Sequence, residues 1–260
     1  MPFKYLLQRF RSLLRLSRRA ALIARRPPDR WYPAAVLLAR LQWGVYRLIW
    51  WRPDILLRTS VLVDVYLFEL SQLGEFPIPF QVEGAEHLHR PGTPGETQGT
   101  LYCAAHLPLF SAQARVLKEL GAPPSIVIAL AEAIDANGGY PLPGLRASIP
   151  ALAPGTSSLI KIHRALRAGA TVGSMIDAYP GGPLRPQLLR LAGKTKARVL
   201  FLYSDLDAQG RMHFRIAPPP FPVPDTEEKV QANLRAYEAE RRPILANYRG
   251  TDPRSEPRSR

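Results

Sequence analysis

The run Leu101-Tyr-Cys-Ala-Ala-His106-Leu-Pro108-Leu-Phe-Ser111 constrains this chain more than any other stretch. Residues 101–105 are a short apolar segment after a Pro/Gly loop, which reads as a buried strand. Pro108 suits the first turn of a helix, where its missing N–H has no partner to lose. Ala112, Val116, Leu117 and Leu120 then recur at helical spacing, and Gly121 is a natural C-cap. A strand running directly into a helix is half of an α/β unit, and His106 stands at the carboxyl end of that strand. Open α/β sheets bind ligands at this edge, and helix N-termini there favour anions. The position suits a catalytic base, and it equally suits a histidine that only hydrogen-bonds within the fold.

The alternation continues down the chain. Strands are expected at 80–84, 125–130, 170–177, 198–203 and 212–216, with helices at 156–168, 184–193 and 225–248. Residues 135–155, with Gly138, Gly139, four prolines and Arg146, read as irregular. At 260 residues the chain is long enough for one large α/β domain with a sizeable core. Its single cysteine, Cys103, lies inside the apolar strand and reads as a core residue, so neither a disulfide nor a cysteine zinc site can form within one chain. No Walker motif and no Gly-x-Gly-x-x-Gly is present, so nucleotide-driven and nicotinamide chemistry have no support.

The N-terminal part is different in kind. From residue 1 to 58, one Lys and twelve Arg stand against Asp29 and Asp54, which places +11 of the formal +14 there. Phe3, Leu6, Leu7, Phe10, Leu13 and Leu14 share helical spacing, and arginines fill the other side. Such a pattern fits a helix lying on an anionic membrane surface; a core-packed helix with a solvated face and an organelle transit peptide have similar patterns. All four tryptophans fall at 31–51, as befits a water–lipid boundary. Arg40 and Arg47 interrupt the first apolar stretch, and Arg58, Asp64 and Glu69 the second, so neither is expected to span a bilayer. The expected organisation is a helical, membrane-associating region at 1–75, an α/β domain at 76–250 and a disordered tail at 251–260. The pI of 10.4 alone also suggests nucleic acid, but the arginines are interleaved with large apolar residues and no nucleic-acid motif appears.

Several of these pieces together resemble the lysophospholipid acyltransferase superfamily, in particular the branch similar to the bacterial late acyltransferases of lipid A biosynthesis. The likeness comprises the basic N-terminus, the strand–His106–helix unit, Arg146 in its irregular segment, Ala165-Leu-Arg-Ala-Gly-Ala-Thr-Val172 leading to Met175-Ile-Asp177, and Leu191-Ala-Gly-Lys-Thr-Lys-Ala197. The resemblance implies an α/β fold with a mixed central sheet flanked by helices. It implies transfer of a fatty acyl group from acyl-CoA or an acidic acyl carrier protein to a lipid hydroxyl, with His106 as base, Arg146 on a phosphate or head group, and no resident cofactor. It also implies peripheral attachment to the cytoplasmic face of a bacterial inner membrane.

The chain departs from the family pattern at one position. The family places an acid at the fifth position after the histidine, and here that position is Ser111. Three possibilities follow: Ser111 orients the ring, another acid does so, with Asp177 the first candidate, or the chain binds lipid without catalysis. Asp177 is as readily a turn-initiating residue ahead of Tyr-Pro-Gly-Gly.

Overall fold

The computed structural model describes residues 19–49, 59–88, 99–179, 181–207 and 209–249. The stripe expected at 3–14, Trp50 and Trp51, nearly all of the loop at 90–99, and the tail at 251–260 lie outside the described residues. In chain order the elements are α1 (Trp31–Ile49), α2 (Thr59–Ser71), β1 (Phe80–Glu83), β2 (Thr100–Ala104), α3 (Gln113–Glu119), β3 (Ile126–Ile128), β4 (Gly139–Pro141), β5 (Ser148–Leu152), α4 (Thr156–Arg167), β6 (Thr171–Met175), α5 (Gln187–Thr195), β7 (Arg198–Leu206), β8 (Met212–Ala217) and α6 (Glu227–Arg249).

The strands make one sheet of eight in the order β1-β8-β7-β2-β6-β3-β5-β4. From β7 through β5 every pairing is parallel, while β8 and β4 run antiparallel to their inner neighbours. The fold is therefore α/β with a mixed sheet flanked by helices.

All five residues of β2 are buried, because both faces of the sheet are covered. Tyr102 and Ala104 join one core with Tyr32, Val36, Leu67 and Leu70 from α1 and α2 and Val116 and Leu117 from α3. Leu101 and Cys103 point the other way, into a core with Ile162 of α4, Leu189 of α5 and Val230 and Tyr237 of α6. A strand buried on both faces has no polar side to alternate with, which is why 101–105 is a continuous apolar run. Each such Leu or Val contributes about 1.5–3 kcal/mol of burial.

The irregular segment expected at 135–155 contains two strands instead, β4 and β5. The sheet tolerates their prolines by position. Pro141 lies in the edge strand, and β5 pairs with β3 only at Ala151 and Leu152, just beyond Pro150. A second departure lies after His106. In place of one helix from Pro108, a short 3₁₀ turn at Phe110–Ala112 precedes α3, and Leu109 before it is left-handed (φ 57°).

Candidate active site

The parallel pairing of β2 with β6 builds the centre of the site. Ala104 stands opposite Met175 in the register, so two residues further along each strand His106 and Asp177 emerge side by side at the carboxyl edge. The His106 Nδ1 lies 2.8 Å from Asp177 Oδ1, and the His106 backbone N–H donates to both oxygens of the same carboxylate at 3.1 and 3.2 Å. The Asp177 side chain is 1% exposed and that of His106 18%. A buried carboxylate needs paired charge or donors to offset its lost hydration. Besides these contacts, Arg241 of α6 supplies Nη1 to Asp177 Oδ2 at 3.2 Å and Nη2 to the Gly182 carbonyl at 2.9 Å. With Nδ1–H donating to Asp177, the ring's Nε2 keeps its lone pair.

The imidazole lines a cavity of about 950 Å³ at the carboxyl ends of β2, β6 and β3. Its walls are largely apolar, with Phe68 from α2, Leu117 from α3, Val127 and Ile128 from β3, and Leu159 and Ile162 from α4. Phe110 also lines it, and its ring meets the His106 ring edge-on with centroids 5.0 Å apart. Leu130 and Leu159 combine a place in the wall with exposure to solvent.

Ser111 does not reach the imidazole. Its hydroxyl donates to Asp64 Oδ1, and the Leu109 N–H donates to Asp64 Oδ2 at 3.0 Å. Burial pushes the Asp64 carboxyl up to about 7, against the pull of these hydrogen bonds. Asp177, and not Ser111, is thus the side chain on Nδ1. Burial likewise pushes the Cys103 thiol up, as for an inert core residue.

Arg146 is not brought to the cavity. It is exposed, and its Nη2 donates to the Leu73 carbonyl at 3.1 Å, tying its loop to the end of α2. Arg185 is instead the Lys or Arg that lines the cavity among the described residues, and its guanidinium has no partner there. Sequence reasoning missed Arg185, Asp64 and Arg241. Arg185 follows Pro183-Leu184 in a loop with no pattern of its own, Asp64 showed only as an interruption of an apolar helix, and Arg241 hid among the many charges of α6.

A scan against models of known protein families finds no match, and neither does a search of curated proteins.

Proposed function

We propose that this protein is an acyltransferase working at a membrane surface, moving a fatty acyl group from acyl-CoA or an acyl carrier protein to a hydroxyl of a lipid acceptor. The observation that carries this reading is the His106–Asp177 pair opening onto a large apolar cavity. The acceptor hydroxyl gives its proton to Nε2 of His106 as its oxygen attacks the thioester carbonyl carbon. The tetrahedral intermediate collapses, the C–S bond breaks, and the leaving thiolate takes the proton back from the imidazolium. Asp177 holds the ring in the required tautomer and stabilises the imidazolium, and Arg241 keeps the carboxylate in place. The cavity takes the hydrocarbon chain, each buried methylene contributing about 0.8 kcal/mol. Arg185 rather than Arg146 is placed to meet an anionic group of either substrate. The arginine-laden N-terminal region holds the protein against the cytoplasmic face of a bacterial inner membrane.

A lipid-binding relative without catalysis was suggested by the lack of an acid at position 111, and Asp177 on the ring removes that motive. The deciding experiment is acyl transfer from acyl-CoA and from acyl carrier protein to bacterial lipid extracts. His106→Ala should lower turnover by about 10²–10⁴-fold in a protein that still folds. A wild-type protein that binds the acyl donor but never transfers it would leave the non-catalytic reading in its place.

A further inference from the structure

The loop that carries His106 is held in an unusual shape. Leu107 N–H donates to the Ala105 carbonyl at 2.6 Å, Phe110 N–H to the Leu107 carbonyl at 3.2 Å, and between them Leu109 is left-handed. A branched non-glycine residue in that conformation costs of order 1 kcal/mol or more and persists only where its surroundings enforce it. Asp64 bonds to the loop on both sides of Phe110. One carboxylate oxygen takes the Leu109 N–H and the other the Ser111 hydroxyl, so a single buried side chain makes both grips. Phe110 is the residue whose ring lies against His106.

Asp64 belongs to α2, not to the strand or helix that the loop joins. It stands in the middle of an otherwise apolar segment, Val61-Leu-Val-Asp64-Val-Tyr-Leu. A carboxylate there is costly, since a bulkier apolar residue would bury more favourably. Nothing in the proposed proton path uses it.

We infer that Asp64 is a positioning residue: through Leu109 and Ser111 it fixes the His106–Phe110 loop, so that α2 sets the aim of the imidazole while Asp177 sets its tautomer. Ser111 then serves this clamp and not the ring. The inference rests on His106 acting as the base, and its test is chosen to stand apart from that reading.

The test uses the full-length protein and three variants. Ser111→Ala removes one of the two grips. Asp64→Asn retains an oxygen for the Leu109 N–H and an amide that can donate to the Ser111 hydroxyl. Asp64→Leu removes both grips while keeping the branched shape of the side chain. Amide hydrogen exchange at Leu109, which needs no turnover, should accelerate by up to about 10-fold in Asp64→Leu, the loss expected for one net hydrogen bond. It should stay close to wild type in Asp64→Asn. In acyl transfer, Ser111→Ala should lower kcat by roughly 10-fold with KM little changed, because a misaimed base costs the chemical step and not binding. Asp64→Asn should recover most of the kcat that Asp64→Leu loses. Equal Leu109 exchange in wild type and Asp64→Leu would overturn the clamp, and so would a Ser111→Ala enzyme with unchanged kcat. If wild type shows no transfer at all, the acyltransferase reading fails while the exchange data still decide the clamp. Should Asp64→Leu not fold, Ser111→Ala and Asp64→Asn decide it between them.

Discussion

His106 and Asp177 are 71 positions apart in sequence and 2.8 Å apart in the fold, and the sequence held half of the reason. Both lie just past apolar runs that read as strands, so both were candidates for a carboxyl edge. What the sequence could not show is that β2 and β6 are direct neighbours in register. Position 111 is a different case, because the family resemblance implies contact between the fifth residue after the histidine and the ring, while the left-handed Leu109 turns the Ser111 hydroxyl toward Asp64. The consequence for Ser111→Asp is definite. A second carboxylate would meet Asp64 in a buried wall, where two such groups cannot both ionise. The variant should lose about 1–3 kcal/mol of stability and roughly 10-fold in turnover, read by denaturant unfolding and acyl transfer. Had Ser111 been the ring's partner, the same change would have raised activity. Asp64 also makes stability depend on pH. Its folded value of about 7 lies above the usual 3.8, so between these the folded state keeps a proton that the unfolded chain releases. Stability from this group is therefore full below about pH 4 and falls as pH rises toward 7. Burial, with a smaller push from Asp64, raises Tyr32 and Tyr140 still further above this window, so both stay neutral throughout it. Relative to Asp64→Asn, the wild type should lose up to about 4 kcal/mol between pH 4 and 7, measured by unfolding at a series of pH values.

At the scale of elements, the strands and helices of the inner sheet were legible because each is a buried run with a clear stop. The pair β4 and β5 was not, since proline content is a local signal and sheet position decides whether a proline is tolerated. The role of α6 was also hidden. Its aromatic anchor, Tyr237, stacks on Tyr203 with centroids 4.7 Å apart and donates its hydroxyl to the Leu202 carbonyl at 2.9 Å. One helical turn on, Arg241 meets Asp177, so the docking of α6 against β7 delivers a cation to a site built by β2 and β6. Arg241 is 3% exposed, and removing one partner of a buried pair leaves the other uncompensated. Arg241→Leu should cost about 3–5 kcal/mol of stability and lower turnover in the fraction that folds. Thermal unfolding together with kcat per folded molecule checks both parts; a stable variant of normal kcat would remove Arg241 from the site.

At the scale of the whole molecule, the proposed function requires contact with a lipid surface. Among the described residues no helix is long and apolar enough to cross a membrane. The charge is nevertheless concentrated in the first 58 residues, and Leu22, Leu37 and Leu41 nearby are each more than half exposed. Arginines near an anionic surface contribute about 1 kcal/mol each, but salt weakens this attraction, the Debye length shrinking from about 10 Å at 0.1 M to about 3 Å at 1 M. Apolar insertion is not weakened in that way. Vesicles of phosphatidylglycerol and phosphatidylethanolamine should therefore bind the protein at low salt and retain most of it in 1 M salt. Phosphatidylcholine vesicles should bind it less. Phe10→Glu with Leu13→Glu interrupts the apolar spacing at 3–14 while the arginines remain, so it should leave low-salt binding largely in place and abolish retention in high salt. Binding that disappears entirely in 1 M salt for the unaltered protein would mean that arginines alone hold the surface, and the apolar spacing would then have to find its partner within the fold.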